Sequence, residues 1–483
     1  MGVDSSTQSC KVQIRDADDG TLVASGRAPH PPTSPPRSEQ DPAAWWAALR
    51  AACDAAGPAV AQVAAISVGG QQHGLVVLDE GSHVLRPAKL WNDTESAVHA
   101  AGLVAQLGAP RWAEATGSVP VASFTVTKLA WLAEHEPDVL ARTAHVLLPH
   151  DWLTHRLTGR FTTDRGDASG TGYWSPTEGA WRPDLLALAA PRLGVDALPE
   201  VLGPTEVAGH VTAEAGAALG LPEGAVVACG TGDNMAAALG VALRPGDVAV
   251  SLGTSGTVYA VADRPVADAT GAVAGFADAT GRFLPLVCTR NATQVTDTVA
   301  RLLGVDHAQF DDLALDAPPG ASGLVLLPYL DGERTPNRPA ATGVLSGMRT
   351  AASRADLARA AVEGVGCGLL DGLDALAAAG VPTGTGRLLV VGGGSRSRAY
   401  REILATLAGR VVEVPGGDEH VATGAAAQAA AVVTGHPPLE VAAAWAASPA
   451  GGSPTIVTPV AGGAPEAVRE RYAALRDRTV DPA

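Results

Sequence analysis

Val3-Asp4-Ser5-Ser6-Thr7-Gln8-Ser9, near the start of the chain, and Val250-Ser251-Leu252-Gly253-Thr254-Ser255-Gly256, past its midpoint, carry one pattern twice. Each reads as an apolar strand, a turn with threonine in the same place, and a returning strand. Backbone N–H groups converge in such turns and hydroxyls add donors, which suits phosphate oxygens. The same residues also suit two ordinary hairpins, because small side chains serve tight turns. Read as a pair, they predict two related domains, each giving one hairpin to a shared cleft.

Outward from the first hairpin, the sequence predicts a β-meander. Gly2–Val3 is a strand, Asp4 to Ser9 a turn, Lys11–Arg15 a strand, Asp19-Gly20 a turn, and Leu22–Ala24 the return. The proline-rich stretch Arg27–Arg37 predicts an extended loop. Asp41-Pro42 pairs an N-cap with a proline at the first helical position and opens a helix to about Ala56. Val63–Val68 reads as a strand running into Gly69-Gly70-Gln71-Gln72-His73-Gly74. Outward from the second hairpin, Ser353 and Asp356 have capping-box spacing and start a long helix. Leu388–Val391 is a strand into Gly392-Gly393-Gly394, followed by a helix, a strand at Val411–Val414 and an alanine-rich helix from about Glu419. The alternation of short strands and helices is that of an α/β protein. Arg244-Pro245-Gly246-Asp247 marks the boundary, giving domains 1–244 and 245–483.

Composition bounds the function. A chain of 483 residues with 46% apolar residues predicts more than one sizeable core. The net charge of −16 repels nucleic acid and anionic membrane, so neither is expected as a partner. The five cysteines are scattered, with no CxxC pair, as in a reducing cytoplasm. No apolar run reaches the ~18 residues of a membrane span. Met1-Gly2-Val3-Asp4 has no basic region of the kind that opens a signal peptide.

The common nucleotide motifs are missing. There is no GxxxxGK[ST] loop, Gly230-Thr231-Gly232-Asp233-Asn234-Met235 lacks the third glycine of GxGxxG, and Gly392–Ser397 fails the same test. No HExxH or CxxC exists, so neither a structural nor a catalytic zinc is expected. Asp233 follows the apolar strand Ala225–Cys229 and precedes an alanine-rich helix. An acid there lies on the usual ligand side of an open sheet and can take a proton from a hydroxyl, or it caps the helix. His73 among glycines and glutamines either binds a polar substrate or is incidental. Trp91-Asn92-Asp93 is either a sugar platform or a structural turn. Trp45-Trp46 reads as core, and Glu333-Arg334 as a buried ion pair.

Two longer segments go further. Ser123-Phe-Thr125-Val-Thr-Lys128-Leu-Ala-Trp131-Leu-Ala-Glu134-His135 resembles the first signature of the FGGY carbohydrate kinases. Gly343-Val-Leu-Ser-Gly347-Met348 with Asp356-Leu357-Ala-Arg-Ala360-Ala361-Val362-Glu363 resembles the second. The likeness runs from Asp4 to about Ala430. It implies two actin-like (ribonuclease H-like) domains with a cleft between them, the first with the sugar site and one phosphate hairpin, the second with the other hairpin and the adenosine site. Gly70–Gly74, Leu90–Asp93, Leu148–Asp151, Asp167–Thr171 and Leu327–Pro336 resemble the members that phosphorylate D-xylulose. That implies transfer of the ATP γ-phosphate to its 5-hydroxyl.

Residue by residue, the resemblance implies that Asp233 is the base and that Gln72 and His73 bind the ketose, with Trp91 and Asn234 orienting it. Asp4 and Thr7 fall in the first phosphate motif, Gly253 and Thr254 in the second, and Gly392, Gly393, Gly394 and Ser397 in the adenosine motif. Asp4 and Asp233 would attend Mg²⁺, and a homodimer is the family's state. Three departures stand out: Ser6 replaces the usual glycine, Gln72 replaces a frequent methionine, and only two strand residues precede Asp4. Two other readings compete, a kinase for another ketose, polyol or gluconate, and a catalytically silent sugar sensor. The joint presence of Asp4, Thr7 and Asp233 argues against the second.

Overall fold

The computed structural model describes residues 1–479, which form two compact units. The first holds Met1–Leu243, Asp263–Leu284 and Glu419–Gly452; the second holds Arg244–Ala262, Pro285–Asp418 and the stretch from Ser453 onward. A single cut after Arg244 leaves two later segments, 263–284 and 419–452, outside the unit into which they pack.

The sheet of the first unit runs in the order Val207–His210, Val226–Ala228, Ala65–Gly70, Gly2–Ser5, Ser9–Arg15, Leu22–Pro29. Gly2–Ser5 is central. It lies parallel to Ala65–Gly70 and antiparallel to Ser9–Arg15, with Asp4 opposite Gly69 on one side and Lys11 on the other. Pairing on both sides carries this strand through Ser5, so the predicted turn shrinks to Ser6-Thr7-Gln8. The two residues before Asp4 are therefore enough to hold it. The return strand also outruns its predicted end and takes in Arg27 to Pro29, where the sequence predicts loop. The next residue, His30, is buried and hydrogen-bonds the Ser6 carbonyl through Nδ1 at 2.8 Å.

The first helix forms as the sequence predicts, from Pro42 to Ala56, with the Asp41 carboxylate accepting from Ala43 N–H at 2.9 Å. Trp45, Leu49 and Cys53 recur every fourth residue and are buried in the core of this unit. Trp45 is core as predicted, and Trp46 packs partly buried against it.

The alanine-rich helix His420–Thr434 packs on Gly2–Ser5, on Ala65–Gly70 and on the helix Asp233–Gly240. Its small residues permit contact between helix backbones. A Cβ on Gly424 would stand 1.9 Å from the Ala236 carbonyl oxygen, and one on Gly240 would stand 2.0 Å from that of His420. Any side chain at either position forces the helices apart, an overpacking cost of about 1–3 kcal/mol or more. Gln428, fully buried in the same helix, accepts from Ser67 Oγ at 2.6 Å and donates to the Gly230 carbonyl at 3.1 Å. The one large polar side chain on this face thus has both ends of its amide satisfied.

In the second unit the strands run Phe283–Thr289, Gly256–Ala260, Val248–Leu252, Leu388–Val391, Val412–Val414, Thr455–Val457. Val248–Leu252 has the same kinds of neighbour as Gly2–Ser5, an antiparallel hairpin partner in Gly256–Ala260 and a parallel strand in Leu388–Val391. The helix Arg354–Ala378 carries the predicted capping box of Ser353 and Asp356. Glu333 is buried but does not pair with the Arg334 guanidinium as the sequence suggests. Its carboxylate accepts the backbone N–H groups of Arg290 and Arg334 and the Asn291 amide, at 2.6 to 2.9 Å. Three neutral donors satisfy the carboxylate in place of the cationic side chain. Among the described residues no helix is long and apolar enough to cross a membrane.

Candidate active site

Asp233 is the first residue of the helix Asp233–Gly240, and Gly232 before it occupies the cap position. The capping alternative therefore does not describe it. The short strand Thr231–Gly232 runs parallel to Ala65–Gly70, which fixes where Asp233 emerges. Asn234 Nδ2 donates to Asp233 Oδ1 at 3.0 Å and to Gln72 Oε1 at 2.9 Å. Gln72, Asn234 and Asp233 thus form one chain of amide and carboxylate groups, and the buried Gln72 Nε2 has no protein partner. Burial, chiefly, and then the charges of Asp4 and Asp167, push the Asp233 carboxyl up to about 7, against the hydrogen bonds from Asn234.

Asp4 is buried on the central strand. Ser6 Oγ donates to its Oδ1, and Lys11 Nζ stands 3.3 Å from its Oδ2 and 2.5 Å from Glu419 Oε2. The serine in place of the family's glycine thus supplies Asp4 with a donor. Burial, first, and Glu419 push the Asp4 carboxyl up, opposed by Lys11 and Ser6. Burial works against the Lys11 charge, yet Asp4 and Glu419 hold its ammonium above the usual range. Sequence reasoning missed Lys11. Its signal was strand register, since Ser5 pairs with Cys10 across the four residues Ser6 to Ser9 and this sets Lys11 directly across from Asp4.

His73 is buried with a positive φ of 65°. Its Nδ1 lies 2.9 Å from the Gly170 carbonyl, so the N–H sits there and Nε2 carries the lone pair. Phe124 and Phe276 flank the ring, with centroids 4.9 and 5.5 Å away. Trp91 does not stand alone as a platform. Its indole N–H donates to Thr7 Oγ1 at 2.8 Å, joining the predicted sugar and phosphate residues.

A second buried group was not singled out from the sequence as chemistry. His150 Nδ1 contacts Asp167 Oδ2 at 2.7 Å, and its Nε2 stands 3.2 Å from Asp151 and 3.8 Å from Asp164. Burial alone would lower the imidazole pKa, but these three carboxylates raise it to about 10. Asp164 caps the helix Arg165–Ser169 and accepts from Thr231 Oγ1 at 2.8 Å, two residues before Asp233. The cluster thereby ties the strand that delivers Asp233 to a buried ion network.

In the second unit, Gly253 and Thr254 lie in the loop of the hairpin. The backbone N–H of Thr293 donates to the Gly253 carbonyl at 3.0 Å, and that of Ala292 to the Thr254 carbonyl at 3.2 Å. Gly394 lies against the hairpin base, since a Cβ there would fall 2.8 Å from both Leu252 Cβ and Thr293 Cγ2. Gly392 has a φ of 85°, and a Cβ on Gly393 would meet nothing. The loop, the glycine turn and the start of the helix Thr293–Leu303 thus converge. Ser397 stands apart in its bonding. It caps the helix Arg398–Ala408, and its hydroxyl proton is committed to Asp311 Oδ1 at 2.6 Å.

Each unit is thus built on a strand–turn–strand hairpin, and in the first a raised carboxylate is held by Asn234 and Gln72. The chain belongs to the FGGY family of carbohydrate kinases, whose N-terminal domain matches residues 1–240 and whose C-terminal domain matches residues 248–433. It is 50% identical over 448 residues to a xylulose kinase of Streptomyces rubiginosus, covering 92% of this chain and 90% of the relative. The crystal structure of xylulose kinase from Bifidobacterium adolescentis is 43% identical and superposes with a TM-score of 0.84, covering 98% of both chains. That of xylulose kinase from Rhodospirillum rubrum is 29% identical with a TM-score of 0.87, covering 99% of this chain and 98% of the other.

Proposed function

We propose that the chain catalyses ATP-dependent phosphorylation of D-xylulose at its 5-hydroxyl, with Asp233 as the general base. The observation that carries the site assignment is the Asp233 carboxyl itself, raised to about 7 and oriented by Asn234 and Gln72. A base poised near working pH combines a useful ionised fraction with proton affinity. With Oδ1 held by Asn234, Oδ2 takes the proton as the hydroxyl oxygen attacks phosphorus. His73 Nε2 accepts a hydrogen bond from a ketose hydroxyl, and Gln72 Nε2 donates one. The Thr7 hydroxyl accepts from Trp91, so its own proton points to a phosphoryl oxygen. Trp91 is in this reading a positioning residue for Thr7. Gly253, Thr254 and the turn Gly392–Gly394 receive the nucleotide through backbone groups. Positioning supplies most of the acceleration.

Mg²⁺ fits this site on one observation. Asp4 and Asp233 are both raised by burial, and the Asp4 charge adds to that on Asp233, an excess of negative charge that favours a cation. When bound, the ion would neutralise phosphoryl charge, with Asp4 and Asp233 holding it through its waters. Five free thiols suit a reducing compartment, here the cytoplasm.

The test combines a variant with a panel. Asp233→Ala is expected to abolish ADP release with D-xylulose while sugar binding and melting temperature persist. Near-normal turnover would remove Asp233 from the role. A panel of ketoses, polyols and gluconate on the unaltered enzyme, read by coupled ADP detection, should give its highest kcat/KM with D-xylulose. A higher value for another acceptor would reassign the sugar but leave the base intact.

A further inference from the structure

A cluster of surface side chains lies where the helix Ala97–Leu107 packs beside the helix Thr125–His135. We propose that His99, Glu134 and His135 form a binding site for one divalent transition-metal ion of the zinc class. One ligand atom from each side chain lies within 4.8 Å of the other two. His99 Nε2 and Glu134 Oε2 are 3.0 Å apart, and the two imidazole centroids are 5.5 Å apart. Ligands on a tetrahedral ion with bonds of ~2.0–2.1 Å stand about 3.3 Å from each other, and two imidazoles so bound have centroids about 5 Å apart. The observed spacings need only small rotamer adjustments to match.

Each ring also presents the correct edge. His135 Nδ1 is engaged by the Trp131 carbonyl at 3.1 Å, which fixes the tautomer and leaves Nε2 to bind. Its ring stacks on Trp131 with a centroid distance of 4.8 Å and an interplanar angle of 6°. Trp131 is itself held by Lys89 Nζ, 3.8 Å from its ring centroid. His99 turns Nε2 toward Glu134 and buries an unpartnered Nδ1, so metal binding through Nε2 leaves an unpaired Nδ1–H that lowers the affinity. Two imidazoles and one carboxylate are a donor set for zinc, nickel or copper, whereas magnesium prefers oxygen ligands alone. Glu134 is exposed, so the ion has an open path and a fourth position for water. The absence of HExxH and CxxC spacing predicted no structural or catalytic zinc, and this site is neither. It joins residues 35 apart in sequence on two helices, which no local motif displays.

The experiment titrates the full chain with Zn²⁺ by calorimetry in excess Mg²⁺. The unaltered protein, His99→Ala, His135→Ala and Glu134→Gln are compared, with xylulose phosphorylation as the check on folding. One equivalent is expected to bind, with a rise in melting temperature. Each histidine variant should lose at least ~10-fold in affinity, the low end of what even outer partners contribute. All variants should keep their turnover. Equal binding by the unaltered protein and both histidine variants would overturn the site. So would no binding above buffer, which would leave only the His99–Glu134 hydrogen bond.

Discussion

The hairpin around Ser6-Thr7-Gln8 and the hairpin around Gly253-Thr254-Ser255 stand in matching strand surroundings but are furnished differently. The first carries Asp4 and Lys11 face to face, with Glu419 completing an ion triad and Trp91 gripping Thr7. The second has no charged residue from Val248 to Ala260, and its loop carbonyls are held by the N–H groups of Ala292 and Thr293. A strand–turn–strand frame is thus enough to aim backbone groups. Charge has been concentrated beside Asp233, the carboxylate proposed as the base, where each buried ion also costs desolvation. That division of labour gives graded expectations.

The largest effect belongs to the charged hairpin. Asp4→Ala should cut kcat by on the order of a hundredfold or more, with KM for the sugar little changed, because charge neutralisation at phosphorus is worth several kcal/mol. A loss of only a few-fold would make the two hairpins equals. Trp91→Phe keeps an aromatic side chain but deletes the N–H to Thr7. A hydrogen bond worth ~0.5–1.5 kcal/mol predicts up to about a tenfold fall in kcat. Combined with Thr7→Ala, the losses should fail to add, and a strictly additive pair would refute the link.

Next comes pH. As Asp233 loses its proton, kcat/KM should rise through about 7. The negative charge of Asp167 raises the Asp233 carboxyl, so Asp167→Asn should shift that acid limb to lower pH. A limb that stays in place would detach the His150 network from the base. The smallest effect falls on the neutral hairpin. Thr254 is exposed and held through its backbone, so Thr254→Ala should raise KM for ATP only a few-fold and leave kcat alone, since a single exposed hydroxyl contributes ~1 kcal/mol or less.

Both hairpins, the helix from Pro42 and the capping box at Ser353 could be read in the sequence because local rules specify them. Asp233 was visible as an acid after a strand, and the family signatures, not the spacing, gave it a role. What escaped are partnerships between distant parts of the chain. Lys11 pairs with Glu419, His150 needs Asp167, and Trp91 finds Thr7 across 84 positions. Ser397 was legible as part of a glycine turn, whereas its commitment to Asp311 was not. The helix from His420 was legible as a helix, but sequence order gave no hint of which sheet it packs on.

That helix sets a timetable for synthesis. The strand Gly2–Ser5 leaves the ribosome long before the segment that covers it, which begins at Glu419. At ~5–20 residues per second, the interval is on the order of twenty seconds to over a minute. Throughout that time Gly2, and from its own synthesis Gly240, lack the small-residue surface they pack against. A protein cut after Leu243 should not settle into this unit unless the 419–452 segment is supplied separately.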